Sequence, residues 1–436
     1  MEWYTALAVM IGLILMLMGF GVPVAFAFFA TNIVSIFLFM GGGLGIRQMV
    51  ANFGEAVSIY ALTPLPLFLV MGSLFFRSGL GDNVFHAVDL CIGRVKARLS
   101  YIVVLSGAVF AALSGSSIAN TGMMGSAMVP EMLKRGYKPH MSFGPILGAG
   151  GLAVIIPPSS LAVLLGSLAQ IDVGALLIAG FLPGLLLTAF YMALITVQAA
   201  IDPDAAPNYD TPEASLAEKL SAVAANVIPM GVIVLLVIGS IILGIASPTE
   251  SAALGCLGVT GLLLAYRRFS WWVVWRSLDD AMKVSGMTFL IIAASTTFAQ
   301  ALAFSGASNG MIQWFLSFDL SPYAMLFVMI GIILLLGMFM DQLSMMLITL
   351  PVFIPIAKQL GFDQVWFGLL LLLSYEVGFT TPPFGLLLFI MLGVAPPGTT
   401  LKTVSLAALP YILCTMLLIV LIVFFPSIAL LLPRLL

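Results

Sequence analysis

The sequence predicts an all-α polytopic membrane protein, arranged as an inverted repeat with two re-entrant hairpins and two broken helices. Three observations carry that expectation. Apolar residues make up 62% of the 436 and charged residues only 8%, with a mean hydropathy of +1.19; a soluble chain of this length needs a far more polar surface. Proline and glycine landmarks recur at an offset of 225 residues (from 23 to 248): Pro23 with Pro248, Pro130 with Pro355, Gly136 with Gly361, and Pro157-Pro158 with Pro382-Pro383. Basic residues crowd the flanks of one interrupted apolar stretch, which fixes its two ends on one side of the membrane.

Spanning segments need roughly 20 apolar residues. They are read at 3–20, 22–41, 60–78, 141–171 and 174–199, and again at 225–245, 247–266, 286–304, 364–394 and 403–432. The interrupted stretch 99–133 follows Arg94, Lys96 and Arg98 and precedes Lys134, Arg135 and Lys138, so it must enter and return on the cytoplasmic side. Its arms of about 15 residues reach only ~23 Å, short of a ~30 Å core, and a re-entrant hairpin is the better reading. The equivalent stretch 322–358 has Asp319, Lys358 and Asp363 at its flanks and is expected to enter from the other side. Five crossings per half is an odd number, so the second half must be inverted. On this topology all but three of the 16 Lys and Arg (Arg47, Lys358 and Arg434) lie inside.

The expected organisation is a first repeat over 1–200, with hairpin 99–133 and broken helix 141–171. A cytoplasmic linker over 201–220 leads to a second repeat over 221–436, with hairpin 322–358 and broken helix 364–394. Three mixed segments, 45–58, 82–98 and 269–285, are not expected to span. The last carries Trp271, Trp272 and Trp275 beside Arg276 and suits a helix lying at the interface, as a coupling arm or a surface anchor. Cys91, Cys256 and Cys414 are isolated and expected to pack as small hydrophobes. The start, MEWYTALAVM, has no basic n-region and reads as a retained helix. A net charge of -2 with no dense basic run argues against nucleic acid.

Chemistry is expected at the breaks. The first hairpin breaks between Leu113 and Thr121, where Ser114, Gly115, Ser116, Ser117 and Asn120 favour a turn over a continuous helix. Non-helical backbone at membrane depth survives only where it is buried in protein or lines a cavity. Its oxygens suit an alkali cation and the following helix start suits an anion; the bland alternative is close helix packing. The second tip runs from Gly337 to Ser344 and holds Asp341, an acid in an apolar run. Asp341 either binds a cation or orders the hairpin by accepting backbone N–H groups. Gly150-Gly151 with Pro157, Pro158 and Ser159, and Gly378 with Thr380 to Pro383, break the later crossings, each facing the hairpin of its own half. Glu376 is either a paired structural acid or a participant in coupling. Walker-type and HExxH patterns are absent from the sequence and no nucleophile elbow is expected in it, so neither ATP use nor intramembrane hydrolysis is expected.

At these residues a family resemblance emerges. LSGSSIANTGMMGSAMVPEMLKRGY, SPTESAALG, FMDQLSMMLITLPVFIPI and GFTTPPFGLLLFI resemble the large membrane subunit of TRAP (tripartite ATP-independent periplasmic) transporters. The resemblance covers essentially the whole chain. It implies an elevator-type fold with scaffold and transport domains, and sodium-coupled uptake of an organic acid anion across the bacterial inner membrane. The partners it implies are a soluble periplasmic binding protein and a small four-helix membrane subunit on a separate chain. Sodium is then expected at Ser114, Ser116, Asn120, Gly150, Pro157, Gly337, Asp341, Gly378, Thr380 and Thr381, and substrate at Ser117, Thr121, Ser159, Gln342 and Pro383. Asn120 with Thr121 departs from the Ala and Thr common in the family. The rival reading is a self-sufficient cation-coupled carboxylate transporter without a binding protein; a channel or an enzyme fits the paired breaks poorly.

Overall fold

The computed structural model describes residues 2–58, 62–93, 95–207, 215–317, 320–338, 340–382 and 385–435. These fold into helices joined by short turns, with no strand among the described residues. Helix bounds recur at the 225-residue offset. Ser117–Lys134 has its counterpart at Gln342–Gln359, and Pro139–Gly151 starts 225 residues before Gln364–Thr380. Among the described residues, six helices are long and apolar enough to cross a membrane, and the bent pair Pro64–Arg77 with Leu80–Cys91 makes a seventh if taken as one span. Trp3–Gly19 and Ala25–Phe39, expected as full crossings, fall among the shorter apolar helices.

An outer group is organised by one helix, Trp271–Phe304, which is 34 residues long. It packs along Val24–Phe39, Gly43–Val57 and Pro64–Arg77, and Pro64–Arg77 in turn packs on Pro248–Ala265. Polar ties join the two halves here. Asn32 Nδ2 donates to Ala294 O at 2.6 Å, and Asn52 and Gln300 exchange amide hydrogen bonds at 2.6 and 3.0 Å. Arg77 grips Asp280 through two nitrogens at 2.5 and 3.0 Å, with Ser73 Oγ donating to the same carboxylate at 2.9 Å. Such a fork holds both charges in one geometry.

The inner group contains two helix pairs, with one helix on either side of each tip. Arg98–Ser114 and Ser117–Lys134 pack on Pro139–Gly151, whereas Pro322–Gly337 and Gln342–Gln359 pack on Gln364–Thr380. The helices beyond the breaks cross over between halves. Ser160–Ala169 meets Gln342–Gln359, and Leu386–Val394 meets Ser117–Lys134. Leu401–Phe424 closes the group against Pro139–Gly151, where Gly144 and Gly148 admit the Tyr411 ring; a Cβ on Gly148 would lie 2.5 Å from it. Small residues four apart let helices approach this closely in lipid.

Several boundaries differ from expectation. The stretch 269–285 is not a separate interface helix but the first half of Trp271–Phe304, because no proline or glycine pair interrupts the hydrogen-bond ladder and Gly286 alone does not break it. Its tryptophans are exposed, and Arg276 stacks 5.7 Å from the Trp272 ring. The linker is shorter than 201–220. A capping box of Ser215 and Glu218 starts helix Leu216–Asn226, and Lys138 pairs with Asp202 at 2.6 Å before it. The segment 403–432 ends as a helix at Phe424, where Pro426 follows. Cys91 is exposed rather than packed. Arg94 and Asp319, used in the charge argument, lie outside the described residues.

Helix contact at Gly337 supplies a test. A Cβ there would lie 2.3 Å from the Gly378 Cα, which is backbone and cannot rotate away, while Gly331 in the same helix has nothing within 4 Å. Gly337→Ala is expected to destabilise by about 1–3 kcal/mol through overpacking. Gly331→Ala is expected to be neutral or stabilising, by up to ~1 kcal/mol. Thermal unfolding of the two purified variants checks the contrast.

Candidate functional site

Each tip is held by the break of its own half. Gly115 adopts φ 58, the left-handed region that glycine tolerates, and ends Arg98–Ser114. A Cβ on it would lie 3.0 Å from Pro158 O, and Ser160 Oγ donates to Gly115 O at 2.6 Å. Thus the backbone freed at the first tip is satisfied by the first broken crossing. The second tip uses close packing instead, with Gly337 against Gly378.

Short polar side chains restart the helices. Ser116 accepts from Ala119 N at 3.4 Å and Ser159 from Ala162 N at 3.3 Å. Asp341 caps the helix Gln342–Gln359: Oδ1 accepts from Leu343 N and Ser344 N at 3.0 and 3.1 Å, and Oδ2 accepts from Ser344 Oγ. Of the two roles weighed for Asp341, ordering the hairpin is the one this geometry displays. An acid at a helix N-terminus is stabilised there by the orphan N–H groups and the dipole.

Glu376 joins the two tips. It sits in Gln364–Thr380 at 6% exposure, and its Oε2 accepts from Ser117 Oγ at 2.8 Å and from Gln342 Nε2. One carboxylate oxygen therefore ties a hairpin of the first half to a hairpin of the second. Gly151 makes room for it, since a Cβ there would lie 2.9 Å from Glu376 Oε1.

Residues from all four breaks line one cavity of about 150 Å³: Gly115 to Ile118, Val154 with Ser160, Asp341 to Leu343, and Phe379. Val284 and Thr288 of the long outer helix complete its wall. Ser116, Ser117, Asp341 and Gln342 are thus brought together as expected. Ser114 lies in the adjoining cavity of about 510 Å³, which shares Leu69, Ser116, Ile118 and Val284 with the first and reaches Arg77, Asp280 and Lys283.

Other expected site residues lie behind the cavity. Asn120 is fully buried and clamps Gly107 O and Ala149 O with its amide nitrogen at 3.2 and 2.9 Å. Thr121 packs on Gly150, where a Cβ would lie 1.9 Å from Thr121 Oγ1. Asn120 Oδ1 and Thr121 Oγ1 have no hydrogen-bond partner among the described residues, and hard oxygens left free beside an unwound segment fit an alkali cation. Thr380 and Thr381 turn their hydroxyls back onto Glu376 O and Val377 O at 2.9 and 2.6 Å. Pro157 lies in the broken segment, cis to Pro158. Pro383 lies outside the described residues. Sequence reasoning missed Thr288; its one signal was a run of small residues at helical spacing (Ser277, Ala281, Ser285, Thr288) facing inward.

A family model described as the DctM component of tripartite ATP-independent periplasmic transporters matches residues 11–428. Over 392 residues the chain is 30% identical to the C4-dicarboxylate TRAP transporter large permease protein DctM of Pseudomonas aeruginosa, covering 89% of this chain and 90% of that one. It is 27% identical to the sialic acid TRAP transporter permease protein SiaT of Haemophilus influenzae, over 97% of this chain and 67% of that one. With the ectoine TRAP transporter large permease protein TeaC of Halomonas elongata the identity is 29%, over 97% of each. Among solved structures, the Alcanivorax borkumensis YdaH transporter superposes with a TM-score of 0.58 at 15% identity, covering 88% of this chain and 89% of that one. That likeness is one of fold.

The shared oxygen of Glu376 makes a measurable forecast. Ser117→Ala and Gln342→Met each remove one charge-assisted donor, and each is expected to cost about 1.5–3 kcal/mol. Because both bonds end on one atom, the double variant is expected to cost less than the sum. A double-mutant cycle by thermal unfolding reads the coupling; strict additivity would show that the two tips are not joined through Glu376.

Proposed function

The chain belongs to the DctM family of tripartite ATP-independent periplasmic transporters, as the large membrane subunit, and from that premise we propose that it is the sodium-coupled import path for an organic acid anion. The observation that carries this reading is the cavity shared by all four breaks. No Lys, Arg or His lines it among the described residues. An anion there would be met by the hydroxyl of Ser116, the second amide hydrogen of Gln342 and the helix N-terminus at Ser117, while the Ser117 hydroxyl stays on Glu376 and Asp341 caps the helix start at Gln342.

Sodium, the co-transported cargo, would use the free oxygens of Asn120 and Thr121 at the first break and the segment from Gly378 to Thr381 at the second. Holding a cation beside each break would order tip and crossing together and so shape the anion pocket. The inner group would then travel as one body against the outer group, an elevator motion within an inverted repeat of two re-entrant hairpins and two broken helices. The adjoining cavity runs toward Arg77 and Lys283, on the side that the charge distribution assigns to the cytoplasm. The conformer is accordingly read as inward-open. The outer group would be braced by the small membrane subunit, and a periplasmic binding protein would deliver the substrate across the inner membrane.

Reconstitution of the complete three-part system in liposomes tests the reading. Uptake of a labelled dicarboxylate, sialic acid or the binding protein's own ligand is expected to vanish when sodium is replaced by potassium, and also when the binding protein is omitted. Uptake persisting in potassium overturns sodium coupling; uptake by the purified chain alone would establish the self-sufficient carrier instead. Ser117→Ala is expected to lower uptake about tenfold, by loss of roughly 1.4 kcal/mol of pocket ordering.

A further inference from the structure

Ser117 and Gln342 both use Oε2 of Glu376, whereas Oε1 has no hydrogen-bond partner among the described residues. The donors to this carboxylate are those two neutral groups, and no Lys, Arg or His acts on it among the described residues. Oε1 lies on the Gly151 side, and Gly151 and Glu376 both line a separate cavity of about 20 Å³. That cavity is lined by residues of Pro139–Gly151, Phe181–Ile201, Gln364–Thr380 and Leu401–Phe424, behind the tips rather than between them.

Four hydroxyl-bearing residues line it: Tyr191, Thr380, Tyr411 and Thr415. Thr415 Oγ1 donates to Tyr411 O at 3.2 Å, so Tyr191 is the donor in its 2.9 Å bond to Thr415 and keeps its own lone pairs. Thr380 donates to Glu376 O at 2.9 Å and likewise keeps its lone pairs. Tyr411 OH, in a side chain only 2% exposed, has no partner among the described residues. The volume accommodates one water-sized particle. A buried carboxylate is costly unless a counter-charge meets it, and hydroxyls supply dipoles, not charge.

We propose that this pocket binds a small monovalent cation, either sodium or a proton on Oε1, which neutralises Glu376 while Oε2 goes on holding both tips. Tyr191 and Tyr411 are the titratable side chains that line this pocket with Glu376, among the described residues. Bonds to an ionised acceptor are about twice as strong as bonds to a neutral one. Occupancy of the pocket therefore changes how firmly Ser117 and Gln342 are held, which links an internal cation to the tip cavity. The proposal extends the transport reading to a cation position behind the tips.

The test compares wild-type protein with Glu376→Gln and Tyr411→Phe in lipid nanodiscs. Thermal midpoints are read while sodium chloride replaces choline chloride, at mildly acidic and at mildly alkaline pH. Glu376→Gln keeps the acceptor for both tips but mimics the neutralised carboxyl, so it is expected to fold and to lose one component of the cation response. A sodium response at alkaline pH that Glu376→Gln lacks assigns a sodium ion. A response to acid that Glu376→Gln lacks, unaltered by sodium, assigns a proton. Either outcome, with the half-saturating concentration shifted at least threefold by Tyr411→Phe, supports the pocket. Identical responses in wild type and Glu376→Gln overturn it, and a bridging water makes that forecast. Since the midpoints need no transport, failure of the pocket leaves the liposome result standing, and absent uptake would sink the transport reading alone.

Discussion

Everything in the inner group follows from one constraint: backbone that stops being helical inside a membrane protein must find its hydrogen bonds within the protein. A lone break would leave several orphan N–H and C=O groups, each costly to bury. Here the breaks are used in pairs. Gly115 O takes the Ser160 hydroxyl, the Ser116, Ser159 and Asp341 side chains cap the helices that restart, and Gly337 lies directly on Gly378. Where the breaks meet they leave one cavity lined by residues of all four.

The same constraint explains the division of labour among polar residues. Those needed to satisfy backbone are small and sit at the breaks. Those joining the two halves are mostly larger: Asn52 with Gln300, Arg77 with Asp280, and Glu376, which reaches Ser117 and Gln342 at the tips. The last joins the two tips to each other through one oxygen, so its bonding can report the state of both. Arg77 and Asp280 both lie on outer helices and hold them at fixed separation.

Much of this was legible in the linear order of residues. The proline and glycine offset anticipated where helices would stop, and Ser117–Lys134 and Gln342–Gln359 indeed share that offset to the residue. Glycine and proline act locally, through φ freedom and lost donors, so their positions carry over directly into structure. Helix length across Trp271–Phe304 was less legible, since an amphipathic start and an apolar continuation look like two elements until nothing is found to interrupt them. Asn120 was legible as polar and buried but not as a clamp on Gly107 and Ala149, for its partners lie in other turns of chain.

By itself, then, the sequence determined the class, the breaks and the residues able to stand at them, because composition and local stereochemistry act over a few residues. Only the tertiary structure decided which of those residues face a common cavity, that Asp341 is spent on its own hairpin, and that Glu376 ties both tips with one oxygen while the other looks into a separate pocket. Those outcomes depend on contacts between residues tens to hundreds of positions apart, and direction of approach, unlike turn propensity, is set by how whole helices pack.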